Sequence, residues 1–125
     1  MRGAAVKLRA AGVATHLWIV VSDIHPTKRL VLAFNLTDAG NYPGCCCFLE
    51  PGEHEYIRIR SAVRYFSPKL WAPDQLAARI TDGTFERYAD ASEELVGKIV
   101  EGAYRSEDLD PYYLEFLPAQ PGAAA

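Results

Sequence analysis

The chain has 125 residues, of which 50% are hydrophobic and 23% are charged, and its formal net charge at pH 7 is −3. These values are typical of a globular domain with a core of its own, and they exclude a disordered chain, a repeat array and a multidomain protein. We therefore expect one domain over residues 1–125, with residues 1–13 and 118–125 flexible at its ends.

The first half of the chain predicts short β-strands. Residues 1–13 are small and weakly patterned, which indicates a loose arm or a short strand. The runs Leu17–Val21 and Leu30–Leu36 are aliphatic and each ends at turn-forming residues, so they predict two buried strands of one hairpin. A third strand is predicted over Cys45–Leu49, and one or two more over Tyr56–Phe66.

The second half predicts helices. After a connector between Pro68 and Pro73, the segment Pro73–Ile80 suits a short helix. Asp90 and Glu93 have the spacing of a capping box, and apolar residues then recur at helical spacing as far as Tyr104.

Short strands followed by helices predict a mainly β fold with C-terminal helices (α+β), in which a small antiparallel barrel packs against the C-terminal helix. Alternate residues of each strand should face the helix residues Leu95 and Ile99. The predicted core residues of the strands are Trp18, Val20, Leu32, Phe34, Cys46 and Phe48.

The three cysteines are consecutive, at Cys45, Cys46 and Cys47, and they cannot form a disulfide framework. Adjacent strand residues point to opposite faces, so these side chains cannot converge on one metal ion. We interpret the run as reduced core residues that bind no metal, and a zinc or redox role is the alternative. Free thiols suit a reducing cytosol.

The sequence also predicts a cytoplasmic protein that does not enter a membrane. The apolar run Leu17–Val21 is much shorter than the roughly 18 residues of a membrane span. No long apolar segment follows the basic residues near the N-terminus, which argues against a secretory signal.

Charge is unevenly distributed along the chain. Residues 56–72 contain four basic residues and no acid, whereas residues 86–115 contain nine acids against three bases. One interpretation is a solvated acidic helix beside an ordinary basic strand. The other is an anion-binding face on an acidic protein.

Candidate chemistry depends on the histidines, because the sequence has no Gly-rich phosphate loop, GxSxG, HExxH or paired CxxC motif. His16 stands where the first strand begins, and His54 lies in a Pro-Gly loop that can present a side chain to a cleft. His25 precedes Pro26 in a loop and is expected to be solvated. A histidine can move a proton in either direction near neutral pH, and a purely structural role is the alternative for each.

The stretch from His16 to Gly40, HLWIVVSDIHPTKRLVLAFNLTDAG, resembles the first core hairpin of the PemK/MazF-type toxin family. In that family an Arg-Pro pair opens an apolar strand, a polar loop follows, and a second apolar strand ends in Thr or Ser. The segment Ile57–Leu70, IRIRSAVRYFSPKL, resembles a later polar piece that leads into a strand. The helix over Ala91–Tyr104 would correspond to the closing helix of the family.

This resemblance implies a compact SH3-like barrel and metal-independent cleavage of RNA through the ribose 2′-hydroxyl, without a cofactor. It also implies a prokaryotic toxin–antitoxin or defence system, and therefore RNA, an antitoxin protein and a second copy of the chain as partners. The catalytic Arg of the family falls at His16, and its Thr or Ser falls at Thr37. The start of one hairpin strand lies beside the end of its partner, so we expect these two residues in one cleft.

We expect His54 to join His16 and Thr37 as a catalytic residue of this cleft. Substrate binding is assigned to four polar and basic residues, Arg58, Ser61, Arg64 and Lys69. His16 and Leu17 stand where the family has Arg-Pro, so the alternative is a non-catalytic SH3-like module that binds a protein or a nucleic acid.

Overall fold

A computed structural model describes residues 1–9 and 16–119. In chain order the elements are β1 (Ala5–Leu8), β2 (Leu17–Val20), β3 (Val31–Asp38), β4 (Phe48–Leu49), β5 (Ser61–Val63), β6 (Lys69–Trp71), α1 (Pro73–Thr81), β7 (Phe85–Tyr88) and α2 (Glu93–Arg105). A 3₁₀ turn over Ala39–Asn41 follows β3, and a second over Pro111–Phe116 follows α2. None of the helices in the described ranges has the length and apolar character of a membrane span.

The strands form one antiparallel sheet in the order β4-β5-β3-β2-β1-β7, with β6 also paired to β3. β3 is the longest strand and pairs with β2 along one edge and with β6 and β5 along the other. Within the described residues β4 and β7 share no ladder, so the sheet is open at its two ends. The predicted mainly β, antiparallel class with C-terminal helices is confirmed.

The sheet buries apolar residues on both faces. On one face Ile19 and Phe34 pack in a cluster that includes Ile99 of α2. On the other face Val20 packs in a smaller cluster with Leu76 of α1. The two helices thus sit on opposite sides of the sheet, which explains why β2 and β3 are apolar along nearly their whole length.

The predicted core set mixes these two faces. Leu32 and Phe34 belong to the α2 cluster, as expected. Trp18 and Val20 belong to the α1 cluster, so the prediction that they face the C-terminal helix is wrong. An apolar run that is buried on both sides carries no alternation that would show which residues share a face.

In the cysteine segment the buried and exposed residues alternate in the opposite order from the predicted one. Cys45, Cys47 and Leu49 are buried in the α2 cluster. Cys46 is exposed, so its assignment to the core is wrong, whereas Phe48 is half-buried and packs against the α2 cluster. The strand itself has only two residues, and a pattern this short does not predict which residues face the core.

Three strands depend on pairing with distant segments of the chain. Two of them are not predicted from the sequence, and the third is predicted only as one of two alternatives. β1 lies in the segment expected to be a loose arm or a short strand, and it is held between β2 and β7. β6 lies in the segment predicted as a connector, and β7 was not predicted. Residues 10–13 and 120–125 of the expected flexible ends lie outside the described residues.

The start of α2 differs from the predicted capping box. Ser92 is the N-cap, and its hydroxyl oxygen accepts a hydrogen bond from the Leu95 N–H at 3.1 Å. Asp90 instead pairs with Arg87 at 2.9 Å. A serine directly before two glutamates supplies both the cap and the negative charge that a helix N-terminus favours.

Candidate functional site

An open cleft of about 510 Å³ lies at the end of the sheet where β2 begins and β3 ends. Leu17, Leu36 and Ile57 contribute apolar surface to it. The polar and charged residues along it include Lys7, His16, Thr37, Asp38, Arg58 and Ser61. Four of the residues that the sequence assigned to a site, His16, Thr37, Arg58 and Ser61, are therefore brought together.

The hairpin of β2 and β3 places His16 at the cleft. Trp18 pairs with Asn35, and the same register continued by two residues sets His16 across from Thr37. The Nδ1 atom of His16 lies 2.8 Å from the Leu36 carbonyl oxygen. Since a carbonyl can only accept, Nδ1 carries the proton and Nε2 of the neutral ring carries the lone pair. Nε2 has no protein partner in the described part of the chain, so it is free to accept a proton from a ligand.

Hydroxyl groups stand beside this histidine. The Thr37 hydroxyl accepts a hydrogen bond from the Asn41 side-chain amide at 3.1 Å, which leaves its own proton for a ligand. Asn41 is held there by the 3₁₀ turn that ends β3. Ser61 pairs with Asp38 across β3 and β5, and its hydroxyl donates to the Ile59 carbonyl at 3.0 Å.

Two cations line the cleft. Lys7 arrives on β1, which pairs with β2, and its ammonium group donates a hydrogen bond to the Tyr56 hydroxyl and lies 4.5 Å from the centre of the Tyr56 ring. That ring packs against Tyr88 with 4.7 Å between ring centres. Arg58 is exposed. Within residues 1–9 and 16–119 neither cation forms an ion pair, so both can attract an anion.

Lys7 and Arg58 belong to the six cations of this chain that form no ion pair among the described residues. Of its 13 lysines and arginines, seven form ion pairs among the described residues. The paired ones are Arg2, Arg9, Lys28, Arg60, Arg79, Arg87 and Lys98. Those that line the cleft are not among them. An acidic protein thus keeps uncompensated positive charge at this place.

Asp38 is the one carboxylate among the described residues of the cleft wall. It is exposed and forms no ion pair within the described chain. The Lys7 and Arg58 cations and this carboxylate together carry a net charge of +1. The cleft is therefore suited to a monoanionic group such as a phosphodiester.

His54 does not reach the cleft. Only 6% of its surface is exposed, its Nε2–H donates to the Ala89 carbonyl at 2.6 Å, and its Nδ1 accepts from the Tyr56 N–H at 3.0 Å. Gly52, at φ +95°, turns the loop so that the ring packs toward the segment between β7 and α2. Both ring nitrogens are bonded to main chain, and the prediction that His54 approaches the same cleft as His16 and Thr37 is wrong.

Arg64 and Lys69 also lie outside the cleft wall. The Arg64 guanidinium donates to the Asn35 side-chain oxygen at 3.0 Å, and the Lys69 ammonium lies 5.4 Å from the centre of the Trp18 indole. The predicted substrate-binding set is thus divided between the cleft, with Arg58 and Ser61, and a neighbouring face of the sheet.

Lys7, Asn41 and Tyr56 were missed as candidates. The position of Lys7 at the cleft could not be predicted, because it depends on the pairing of β1 with β2, and no local sequence pattern indicates that pairing. Asn41 follows Thr37 by four residues in a turn-forming segment, and an amide there could have been considered. Tyr56 stands two residues before Arg58, so an aromatic next to a cation was the available signal.

The cysteines are packed rather than poised for reaction. Cys45 and Cys47 are buried, and burial raises the pKa of the Cys47 thiol and of the more exposed Cys46 thiol. The Cys45 thiol donates to the Val63 carbonyl at 3.2 Å. The prediction that at least one thiol is buried is confirmed. No three His, Cys, Asp or Glu residues of the described ranges are grouped as metal ligands.

Comparisons of the chain with protein-family models, with curated proteins and with solved structures found no match. A functional assignment therefore depends on the geometry of the cleft together with the sequence resemblance stated above.

Proposed function

We propose that the protein is a PemK/MazF-like endoribonuclease that cleaves RNA at the His16 cleft without a metal ion. The observation that carries the proposal is the state of His16. Its Nδ1 is fixed by the Leu36 carbonyl at 2.8 Å, and its Nε2 is left free in a cleft that also holds Thr37 and two cations without ion pairs in the described chain. A histidine oriented by one nitrogen and basic at the other is the arrangement that general base catalysis requires.

In the proposed reaction Nε2 of His16 takes the proton of a ribose 2′-hydroxyl, and the freed oxygen bonds to the adjacent phosphorus. The bond from that phosphorus to the 5′-oxygen of the next nucleotide breaks, and this oxygen takes a proton from water in the open cleft. The products are a 2′,3′-cyclic phosphate and a 5′-hydroxyl. His16 then returns its proton to solvent.

Charge stabilisation is assigned to three side chains of the cleft. Lys7 and Arg58 supply positive charge where the pentacoordinate phosphorus gathers negative charge, and Thr37 donates a hydrogen bond to a phosphate oxygen. Arg58 acts only as a cation, because a guanidinium does not lose its proton in a protein. His54 takes no part in this scheme.

By the same resemblance, the proposal extends to the biological setting. The open antiparallel sheet would be a variant of the SH3-like barrel, and the protein a cytoplasmic toxin of a prokaryotic toxin–antitoxin or defence system. An antitoxin protein and a second copy of the chain in a homodimer are the partners that such a system requires.

The second candidate is a non-catalytic module that binds a protein or a nucleic acid, and one observation favours a protein as its ligand. Asp38 carries a negative charge in the cleft wall, where it repels a phosphate. Binding at the cleft without any cleaved product would assign the protein to this class.

The proposal is tested with single-stranded RNA and purified protein in excess chelator. We expect cleaved fragments that end in a 2′,3′-cyclic phosphate, and no cleavage at a nucleotide whose 2′-hydroxyl is replaced by hydrogen. The His16→Asn variant, prepared in parallel, is the control for contaminating nuclease, because the asparagine amide can still donate to the Leu36 carbonyl but cannot accept the proton. Equal cleavage by variant and wild type would refute the assignment.

The toxin setting has its own test. Induced expression of the wild-type chain in a bacterial host should arrest growth, and the His16→Asn and Thr37→Val variants should not. Growth arrest that persists in both variants would show that the toxicity does not depend on the residues of the cleft.

A further inference from the structure

A second cationic surface lies on the sheet next to the cleft. It consists of Trp18, Arg64, Phe66 and Lys69 and is called here the Arg64–Lys69 surface. The Arg64 guanidinium lies 5.0 Å from the centre of the Phe66 ring, and the Lys69 ammonium lies 5.4 Å from that of Trp18. Phe66 is 52% exposed. Neither cation forms an ion pair with a carboxylate of the described residues.

Asn35 connects the residues of this surface to the strand that carries Thr37 of the cleft. Asn35 precedes Thr37 by two residues on β3, so both side chains leave the same face, about 7 Å apart along the strand. Asn35 also pairs with Trp18 in the β2–β3 register. Its side chain is buried and bonded at both polar atoms, because its oxygen accepts from Arg64 at 3.0 Å and its amide donates to the Ser67 carbonyl at 3.0 Å. Asn35 therefore fixes Arg64 beside the cleft.

The chemistry of the surface matches that of a polynucleotide strand. Its cations attract phosphates, and an exposed ring beside a cation offers a stacking place for a base. Of the six lysines and arginines without ion pairs in the described chain, Lys7 and Arg58 lie in the cleft, and Arg64 and Lys69 lie here. Four of these six cations therefore lie in the cleft or on the Arg64–Lys69 surface, and the other two are Arg29 and Arg105.

We propose that the Arg64–Lys69 surface is a second subsite for single-stranded RNA, which holds a base and its phosphate next to the phosphodiester bound in the cleft. This inference rests on the proposed function and adds to it a second contact site for the substrate. A duplex keeps its bases stacked on one another and cannot offer one to Phe66.

The far side of the surface limits the length of RNA that it holds. Tyr42 packs edge-on against Phe66 with 5.2 Å between ring centres, and its hydroxyl donates to the Asp108 carboxylate. Asp108 belongs to the acidic C-terminal part of the chain, which repels phosphate. The subsite therefore accommodates a short segment of RNA rather than an extended strand.

The test is equilibrium binding of a fluorescent hexanucleotide of single-stranded RNA with 2′-O-methyl groups, which the protein cannot cleave. Phe66→Leu and Lys69→Gln should each weaken binding about 5- to 100-fold, and Lys69→Gln should also lower the salt dependence. Arg79→Gln is the matched control, since Arg79 is an exposed cation already paired with Asp82 at 3.4 Å, and it should bind as the wild type does. Thermal unfolding of each variant verifies the fold.

Two further probes separate the outcomes. A dinucleotide should bind all four proteins equally, and a duplex of the same sequence should not gain from Phe66. Hexanucleotide affinities of Phe66→Leu and Lys69→Gln equal to that of the wild type would overturn the subsite, even if the wild type cleaves RNA. A wild type that binds through Phe66 and Lys69 but never cleaves would overturn the proposed function alone. A wild type that neither binds nor cleaves would overturn both.

Discussion

The molecule holds two histidines by a main-chain carbonyl, and they differ in what happens to the other ring nitrogen. At His16 the carbonyl is that of Leu36, at 2.8 Å, and Nε2 has no partner in the described residues. At His54 the carbonyl is that of Ala89, at 2.6 Å, and Nδ1 is bonded to the Tyr56 N–H at 3.0 Å. The difference is that one ring nitrogen of His16 is left for a ligand in our proposal, whereas both ring nitrogens of His54 are bonded to main chain.

The charges around the two histidines follow the same division. Next to His54, the Glu53 carboxylate pairs with Lys98 at 2.9 Å, and Glu55 accepts from the Ala89 N–H at 2.9 Å. Beside His16, Lys7 and Arg58 have no carboxylate partner in the described chain. Around His54 the charges hold loops together, whereas the two cations of the cleft have no carboxylate partner among the described residues.

The largest expected effect comes from exchanging His16 for Asn. The variant keeps a donor for the Leu36 carbonyl but loses the free base, so the rate of RNA cleavage should fall about 10²- to 10⁴-fold with the melting temperature nearly unchanged. His25→Asn is the matched control, because His25 lies outside the cleft and contacts Glu115. Unchanged cleavage in His16→Asn would remove the difference between the two histidines on which the comparison depends.

A second variant measures how tightly the packed side of the sheet is filled. A Cβ atom at Gly102 of α2 would lie 2.2 Å from the Tyr65 hydroxyl oxygen and 2.8 Å from Cys47 Cβ. Gly102→Ala should therefore lower the free energy of unfolding by about 1–3 kcal/mol, as measured by urea denaturation. Gly97→Ala on the same helix meets nothing within 4 Å and should raise it by about 0.5–1 kcal/mol. Effects of the same sign at both positions would contradict this account.

The third variant addresses His54 directly. His54→Ala removes the two hydrogen bonds that this buried side chain makes to main chain, and at about 0.5–1.5 kcal/mol for each bond the loss of stability should be about 1–3 kcal/mol. The rate of RNA cleavage per folded molecule should remain that of the wild type, provided that it is measured below the lowered melting temperature. A selective loss of cleavage in a fully folded variant would return His54 to the catalytic group.

The sequence predicted the hairpin of β2 and β3 because two aliphatic runs end at turn-forming residues. From the hairpin alone the approach of His16 and Thr37 could be predicted, since antiparallel pairing decides which strand ends meet. The side of β2 that faces α2 could not be predicted from the sequence, because Trp18 and Ile19 are both apolar and both faces of the sheet are covered.

Two features of the site were not predicted, the position of Lys7 and the orientation of His54, and both have the same physical cause. Lys7 reaches the cleft on a four-residue strand that is stable only through ladders on both of its edges. The orientation of His54 depends on the Ala89 carbonyl, 35 residues away along the chain. Contacts between distant segments leave no period in the sequence, and both residues were placed by such contacts.

The smallest expected effect concerns Cys47, in the packed part of the molecule. Burial raises the pKa of its thiol, and the favourable influence of Tyr65 and Lys98 on the thiolate offsets this only in part. The folded state thus disfavours the thiolate, so the stabilisation is fully present below the pKa of the unfolded thiol and is lost as the pH rises through the raised folded value. In reducing buffer the unfolding free energy of the wild type should fall from neutral to alkaline pH more steeply than that of Cys47→Ala. Identical slopes of unfolding free energy against pH in the two proteins would mean that this thiol is as accessible to water as the His16 cleft. The contrast between the two regions would then not include the cysteines.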